Sequence, residues 1–492
     1  MIGLVHAIAT PYLILGVSIL LLASILASKA SERLGVPALL MFLLVGMLAG
    51  SEGPGGIHFD DPYAVRLLGT FALSYILFAG GLDTDWPSVR PVLRSGMILA
   101  TLGVLLTAVF VGAFAVLVLG FTWLEGLLLG SVISSTDAAA IFAVLRSRQV
   151  SLKRQLKPLL ELESASNDPM AIFLTVTMLS LLGDPPLPWW SAIPSLARQM
   201  LIGGAVGFLL GKAMSGLVNR IRLEYEGLYP VLTMALVLLV FGVTEAVRGN
   251  GFLAVYIAGL VLGNADYIHK RSIERFHDGL SWLAQIAMFL TLGLQVYPSH
   301  LTPLIGSGLL LSAFLMFVAR PLAVGACLIR SRLTVREKLL VSWAGLRGAV
   351  PIVLATFPMT TGIRQGEMIF NLVFFVVIAS VLLQGRSLTR VAHWLKLDRP
   401  LRSKWRMPLE FDRTEGTFRT SMVELAVSPD SAAAGQSIIH AKLPPGALVA
   451  MIERNGEYIV PNGGTEFRAG DVVLVLGDKE VLEKVRNLLA SP

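Results

Sequence analysis

Long apolar runs dominate most of the chain, and each approaches the ~20 residues that an α-helix needs to cross a bilayer. Thirteen runs are separated by polar residues, at 11–28, 35–50, 66–82, 96–119, 123–145, 160–182, 195–217, 227–247, 251–264, 280–297, 303–329, 337–357 and 367–385. Of the 492 residues, 54% are hydrophobic and 15% are charged, whereas a soluble domain carries about 25% charged residues. The sequence therefore predicts a polytopic α-helical membrane protein with about 13 transmembrane helices.

Lysine and arginine are unevenly distributed among the loops between these runs. Loops after the odd-numbered runs hold Lys29, Arg33, Arg90, Arg94, Arg146, Arg148, Lys153, Arg154, Lys157, Arg220, Arg222, Lys270, Arg271, Arg275, Arg330, Arg332, Arg336 and Lys338. The alternate loops hold Arg66, Arg248 and Arg364, with Arg198 at a helix entrance. Because basic loops stay in the cytoplasm, we expect an external N-terminus and a cytoplasmic C-terminus in a bacterial inner membrane. The net charge of +7 mostly reflects this bias and does not indicate a nucleic-acid partner.

The pattern changes after residue 390, where the predicted membrane domain (1–390) ends. Residues 391–420 are basic and interrupted by proline, which predicts a cytoplasmic linker. From 421 to 490, short apolar runs predict strands at 423–427, 447–452, 457–460 and 471–477, and helical spacing predicts a closing helix at 479–489. This order predicts a small C-terminal α+β domain.

The tail resembles a known regulatory module. Its order of elements, the LPPG turn at 443–446 and the RAGDVVLVLG stretch at 468–477 resemble the TrkA-C (RCK-C) domain of potassium-conductance regulators. The resemblance implies a small-molecule or ion regulator at this domain, with a domain that only mediates dimer contacts as the alternative. No G-x-G-x-x-G stands between 386 and 420, so we expect no nucleotide at a dinucleotide-binding site.

Four of the apolar runs carry polar groups near their centres. They are Thr136 and Asp137 in the fifth run, Glu163, Ser164, Asn167 and Asp168 in the sixth, Arg320 in the eleventh, and Arg347 in the twelfth. A charged group at this depth costs about 2.5–3.5 kcal/mol even on insertion scales, so such groups face a bundle interior or a water-filled cavity. We assign Ser131, Ser134 and Ser135 to packing, with hydroxyls bonded to backbone carbonyls.

Two of these runs also contain residues that interrupt a helix. The fifth has Ser-Ser-Thr-Asp at 134–137, and the twelfth has Gly-Leu-Arg-Gly at 345–348 followed by Pro351. The two runs are offset by seven positions in the series, and an odd offset reverses orientation. Interrupted helices at matching places in two inverted repeats mark the midplane site of a transporter. We expect two broken helices that cross there, with carbonyl ends free to ligate a cation.

The number of charges leaves one acid unbalanced. Arg320 and Arg347 can neutralise at most two of the carboxylates of Asp137, Glu163 and Asp168. We expect Asp168 to face the gap in the fifth run and to exchange a proton for a hard monovalent cation. Its further oxygen ligands would be Asp137, the Thr136 carbonyl and Ser164, and Asn167 would supply a dipole without a second titratable proton.

These residues, taken as a set, resemble a transporter family. The Thr136-Asp137 pair, E-S-x-x-N-D at 163–168, the Ala-Arg ending at Arg320 and G-L-R-G at 345–348 resemble NhaP-type antiporters of the cation:proton antiporter-1 family, over about residues 10–390. The resemblance implies that Asp168 carries the cation and the proton.

The same resemblance implies further roles and one departure. Glu163 would pair with Arg320, and Arg347 would be a nearby structural or pH-sensing charge. The protein would be a homodimer in which a core domain, runs 4–6 and 11–13, moves like an elevator against a dimer domain. In YILFAGGLD at 75–83, Ala79 stands where many relatives have an acidic residue. The third run therefore lacks the acidic ligand that the resemblance implies at this position.

These observations favour an electroneutral secondary antiporter that exports potassium, or sodium, for external protons. It would serve cation, pH and cell-volume homeostasis, would not be an enzyme and would need no cofactor. An ion channel with a regulatory domain is the alternative, but the carbonyl filter motif TVGYG is missing. An intramembrane aspartyl protease using Asp137 and Asp168 would need G-x-G-D, which is also missing.

Overall fold

The computed structural model describes residues 2–34, 37–59, 61–148, 150–153, 155–183, 188–400, 421–428, 431, 433–454 and 457–490. Its contacts divide the chain into two units, Met1–Asp412 and Arg413–Pro492. Most of the predicted linker, residues 401–420, lies outside the described residues.

The first unit consists almost entirely of helices. The first ten are α1 (Ile2–Leu34), α2 (Ala38–Ala49), α3 (Pro62–Asp83), α4 (Trp86–Val89), α5 (Leu93–Ile98), α6 (Val104–Leu119), α7 (Trp123–Ile133), α8 (Ala138–Ser147), α9 (Leu156–Leu182) and α10 (Ala192–Arg220). The others are α11 (Leu228–Ala246), α12 (Gly251–Gly263), α13 (Lys270–Leu294), α14 (Pro298–Leu301), α15 (Ile305–Phe314), α16 (Arg320–Cys327), α17 (Val335–Trp343), α18 (Ala349–Thr360), α19 (Gly366–Ser380) and α20 (Arg386–Trp394). Short 3₁₀ and π turns join several of them into longer helices.

Length and composition identify the membrane-crossing helices. Among the described residues, eight helical stretches are long and apolar enough to cross a membrane, accompanied by the shorter apolar helices α2, α7, α12 and α18. This confirms the predicted polytopic helical architecture. The number of thirteen spans stays a prediction.

The fifth and twelfth predicted runs are broken helices, as expected. Residues 134–137 separate α7 from α8, and residues 344–348 separate α17 from α18. The backbone N–H of Asp137 donates to the carbonyl of Leu346 over 2.8 Å. This bond joins the two non-helical segments, so the breaks cross at one place.

The two halves of the unit share local features at similar spacings. Both broken helices begin with a capping box, Thr122 with Glu125 and Thr334 with Glu337, which satisfies free N–H groups of the first turn. Positions 122 and 334 are 212 residues apart, as are 86 and 298, where α4 and α14 begin. A π turn then follows in each half, Leu99–Gly103 and Leu315–Ala319. The repeat expected from the two breaks therefore extends to helix starts and irregular turns.

The helices pack as two groups. The scaffold group comprises α1–α3 and α10–α13, and the core group comprises α4–α9 and α14–α20. Glycines allow close backbone approach within the scaffold group: a Cβ at Gly46 of α2 would lie 2.9 Å from Gly293 Cα of α13. The core group contains the runs that the resemblance assigns to a core domain, whereas the dimer stays a prediction.

A two-stranded sheet extends the core group beyond the predicted end of the membrane domain. Strand β1 (Val150–Leu152), between α8 and α9, pairs antiparallel with β2 (Asp398–Pro400). Helix α20 also continues to Trp394. Residues 391–400, assigned to the linker from the sequence, thus continue the helix and add a strand next to the loop between α8 and α9.

The second unit is the strand-containing domain expected from the sequence. Its strands are β3 (Ser421–Ala426), β4 (Leu448–Arg454), β5 (Glu457–Ile459) and β6 (Val472–Gly477), followed by α21 (Lys479–Ala490). The antiparallel sheet has the order β3-β6-β4-β5. Its buried face packs against α21 through a cluster that includes Ile452, Val473, Val475, Val485 and Leu489.

An ion pair closes one end of this sheet. Arg454 Nε and Nη2 donate to the two carboxylate oxygens of Asp471 over 2.9 and 2.8 Å, and the Arg468 N–H donates to Asp471 over 2.8 Å. Burial alone raises the pKa of Asp471, but the hydrogen bonds from Arg454 and Arg468 outweigh it and hold the pKa below its usual value. The RAGD stretch therefore forms a turn built around one carboxylate, with Gly470 at φ +89°.

Candidate functional site

Helix α9 passes beside the break between α7 and α8 and supplies most of its side-chain contacts. Ser135 Oγ donates to Asp168 Oδ1. One turn away on α9, Ser164 Oγ donates to the Thr136 carbonyl and accepts from the Ala138 N–H, both over 2.9 Å. Asp168 therefore faces the gap in the fifth run, as the sequence indicated.

Asn167 holds the break from its other side. Its Oδ1 accepts from the Thr136 N–H over 3.4 Å, and its Nδ2 donates to Thr136 Oγ1 over 2.5 Å. The side chain is fully buried. Both ends of the amide are engaged with Thr136, so Asn167 holds the backbone at the break. Its role as a dipole toward the cation stays a prediction.

Arg347 binds the carbonyl end of α7. Its Nη1 donates to the carbonyls of Ser134 and Ser135, both over 2.7 Å, and its own N–H donates to Ser380 Oγ over 3.2 Å. A helix C-terminus carries a partial negative charge, which the guanidinium neutralises. This corrects the expectation that these carbonyl ends are free to ligate a cation.

Asp137 lies at helix N-termini, whereas Arg347 lies at a helix C-terminus. Its Oδ1 accepts from the Ala140 N–H at the start of α8 over 3.1 Å. Its carboxylate also lies against Gly348, the N-cap residue of α18, where an added Cβ would overlap it. A negative group beside two helix N-termini is stabilised by their partial positive charge. The break thus carries one arginine and one aspartate, each at helix ends of opposite sign.

The predicted pair of Glu163 and Arg320 lies behind the crossing. Arg320 Nη2 is 2.5 Å from Glu163 Oε1, and each side chain is 2% exposed. A Cβ at Gly345 would lie 2.8 Å from Arg320 Nε. The first glycine of GLRG therefore makes room for Arg320, and the second makes room for Asp137.

A cavity of about 940 Å³ opens beside this crossing. The core group lines it with Ser135, Thr136, Asp137, Ser164 and Asp168, and the scaffold group lines it with residues of α3 and α13. Ala79 is one of the α3 residues. The position where many relatives carry an acid thus presents a methyl group to the cavity.

The structure divides the predicted site residues into two sets. Asp168, Asp137, Thr136 and Ser164 line the cavity, whereas Glu163, Asn167, Arg320 and Arg347 support the crossing from behind.

Ser131 and Ser134 do bond to backbone carbonyls, over 2.7 and 2.6 Å, as assigned from the sequence. Ser135 was assigned to packing, and this assignment is wrong because its hydroxyl contacts Asp168. Its position beside Thr136, past the end of α7, was the available signal.

Family comparisons agree with this geometry. The model described as "Sodium/hydrogen exchanger, transmembrane" matches residues 17–394, and the TrkA-C domain model matches residues 422–490. The chain belongs to the sodium/hydrogen exchanger family. It is therefore a transporter with a TrkA-C domain and not an enzyme, and nothing among its relatives supports a channel or a protease.

Individual relatives cover nearly the whole chain. It is 40% identical to the K⁺/H⁺ antiporter NhaP of Alkalimonas amylolytica over 478 residues, 97% of this chain and 83% of that protein. It is 39% identical to the K⁺/H⁺ antiporter NhaP2 of Shewanella sp. strain MR-4, covering 96% and 82%. The solved sodium proton antiporter MjNhaP1 of Methanocaldococcus jannaschii at pH 8 superposes with a TM-score of 0.69 at 26% identity, covering 78% of this chain and 99% of that one.

Proposed function

We propose that this exchanger family member exports K⁺ for external protons, one for one, by letting the two ions compete for Asp168. The observation that carries the proposal is the state of the three carboxylates close to the crossing, Asp137, Glu163 and Asp168. Glu163 is bound by Arg320, and Asp137 lies at two helix N-termini. Asp168 faces the cavity with a serine hydroxyl as its hydrogen-bond donor. Asp168 is therefore the carboxylate that is placed to exchange a bound proton for a cation.

The oxygen atoms around Asp168 suit a hard monovalent cation. Thr136, Ser164 and Asp137 line the same cavity, so we include the Thr136 carbonyl, Ser164 Oγ and the Asp137 carboxylate in the proposed ligand set. The Ser135 hydroxyl donates to Asp168, and rotation about its C–O bond would present an oxygen lone pair to a cation. A proton on Asp168 removes the charge that attracts the cation, so binding of the two ions is mutually exclusive.

The cavity belongs to an inward-facing state in the predicted topology. Besides the crossing, it is lined by Ser28 near the end of α1, Asp83 at the end of α3, and Lys157 and Asp278 near the starts of α9 and α13. The distribution of Lys and Arg assigns these helix ends to the cytoplasm. Movement of the core group against the scaffold group would then carry the loaded Asp168 to the outer side.

The choice of K⁺ follows from the relatives that match over both units. Those proteins are named K⁺/H⁺ antiporters, whereas the M. jannaschii structure is named a sodium proton antiporter and covers a smaller share of this chain. We therefore place K⁺ first and Na⁺ second. We also propose a homodimer in a bacterial inner membrane, with an external N-terminus, a cytoplasmic C-terminus and a small-molecule or ion regulator at the TrkA-C domain.

Reconstituted transport tests this function. Purified protein in liposomes that contain a pH-sensitive dye is given K⁺, Rb⁺, Na⁺ or Li⁺ at several pH values, and K⁺ is expected to drive the largest proton movement. Each charge moved across 100 mV corresponds to about 2.3 kcal/mol, so a one-for-one exchange should show the same reversal point at every imposed voltage. A cation flux without proton movement would contradict antiport, and a voltage-dependent reversal point would contradict the stoichiometry.

A further inference from the structure

The scaffold side of the cavity carries a polar stripe on one helix. Asp278, Ser281 and Gln285 of α13 all line the cavity, and their spacing of three and four residues places them on one face of the helix. In a helix of predicted membrane depth, polar residues on one face normally border water or a pathway. The proposed exchange chemistry uses none of these three side chains.

Ser281 and Gln285 are joined in a defined geometry. Gln285 Nε2 donates to Ser281 Oγ over 3.1 Å, and Ser281 is 7% exposed whereas Gln285 is partly exposed. With Nε2 turned to the serine, the amide oxygen Oε1 of Gln285 remains for another partner. The pair therefore presents neutral oxygen atoms to the cavity that Asp168 borders from the core side.

We propose that Ser281 and Gln285 form a scaffold-side station that binds the dehydrating cation before it reaches Asp168 and that contributes to selection among monovalent cations. This inference rests on the proposed antiport function. Asp278 lies on the same face, closer to the start of α13, and extends the path toward the predicted cytoplasmic mouth.

The chemistry of the station explains what it would add to Asp168. Hydroxyl and amide oxygens replace part of the water shell of a cation, and they bind weakly enough for the ion to leave again. Unlike a carboxylate, they do not take up a proton near neutral pH. The station thus recognises the cation alone, whereas Asp168 is shared by both ions. Ala79 of α3 lines the same cavity and contributes no oxygen from its side chain.

The chain offers a matched control for the test. Gln199 Nε2 donates to Ser195 Oγ over 3.1 Å on α10, with the same i, i−4 geometry, and neither residue is among those that line the cavity. Gln285→Met and Gln199→Met therefore remove the same hydrogen bond and keep side-chain length. Both variants and the parent are compared in proteoliposomes for the half-saturating concentrations of K⁺, Rb⁺ and Na⁺, the maximal rate and the pH profile at saturating cation.

The expected result separates the two variants. Gln285→Met should raise the half-saturating K⁺ concentration about tenfold, the loss expected for one neutral ligand, and should change the K⁺ to Na⁺ ratio. Its pH profile at saturating cation should match the parent, and Gln199→Met should match in every quantity. Gln285→Glu, which keeps an oxygen at this place, should recover K⁺ binding and add a new pH dependence.

Three outcomes overturn the inference. The first is an unchanged half-saturating concentration and cation ratio in Gln285→Met. The second is an equal change in Gln199→Met, which would show a general effect of the lost hydrogen bond. If Gln285→Met is not produced in folded form, Ser281→Ala is compared with Ser195→Ala, and equal behaviour of that pair is the third. A parent protein without cation-driven proton movement would instead refute the proposed function itself.

Discussion

The buried pair of Glu163 and Arg320 gives the sharpest stability prediction. Glu163→Gln keeps the shape of the side chain but removes its charge, which leaves the guanidinium of Arg320 in a site where both side chains are 2% exposed. Removing one partner of a buried pair costs about 3–5 kcal/mol, because the remaining charge has no counter-ion.

Thermal and chemical unfolding in detergent measures this loss. Glu161→Gln on the same helix is the control, because Glu161 forms an i, i+4 pair with Lys157 at 3.6 Å in which the side chains are 36% and 57% exposed. Exposed pairs contribute about 0–1 kcal/mol, so this variant should unfold close to the parent. A double variant, Glu163→Gln with Arg320→Met, should recover most of the loss by removing the unpaired charge. If Glu163→Gln were as stable as the parent yet inactive, Glu163 would be a transport residue and the structural assignment would be refuted.

Three further predictions concern the crossing and the tail. Asp168→Asn should abolish cation-driven proton movement in proteoliposomes while leaving unfolding unchanged within about 1 kcal/mol, and residual exchange in this variant would contradict the mechanism. Gly348→Ala should displace the Asp137 carboxylate and lower the transport rate, whereas Gly325→Ala, whose Cβ meets nothing within 4 Å, should transport normally. The depressed pKa of Asp471 means that its contribution to stability is present at neutral pH and is lost as the pH falls below about 4. Hydrogen exchange of the tail strands in the full chain should show this loss in the parent but not in Asp471→Asn.

Composition and periodicity were enough to predict most of the architecture. Apolar runs located the helices because a bilayer requires continuous helical hydrogen bonding, and short apolar runs between turn residues located the four tail strands. The two breaks were readable because polar residues and glycines interrupt apolar runs at 134–137 and 345–348. The matching T-x-x-E capping boxes at 122 and 334 were also present in the sequence, and they would have added support for the repeat.

The contacts inside the breaks could not be predicted in the same way. Helical spacing determines which side chains share a face only while the backbone is helical, and residues 134–137 and 344–348 are not. The direction of Ser135 toward Asp168 and of Arg347 toward the α7 carbonyls therefore depends on backbone angles that residue type does not reveal. The count of charges in the sequence treated each arginine as a counter-ion for a carboxylate. Arg347 instead donates hydrogen bonds to backbone carbonyls at a helix end.

These two contacts change how the charges of the core group balance. Arg347 belongs to the break between α17 and α18 but neutralises the carbonyl end of α7, and Asp137 belongs to the break between α7 and α8 but lies at the start of α18. Together they cancel in charge, as do Glu163 and Arg320. Of these three carboxylates, Asp168 has a hydroxyl rather than a charged group as its hydrogen-bond donor, and in the proposed exchange either a proton or a monovalent cation completes the balance. A core that is neutral in both loaded states avoids the cost of moving net charge through a low-dielectric environment, and that cost would rise steeply if Asn167 were a second carboxylate.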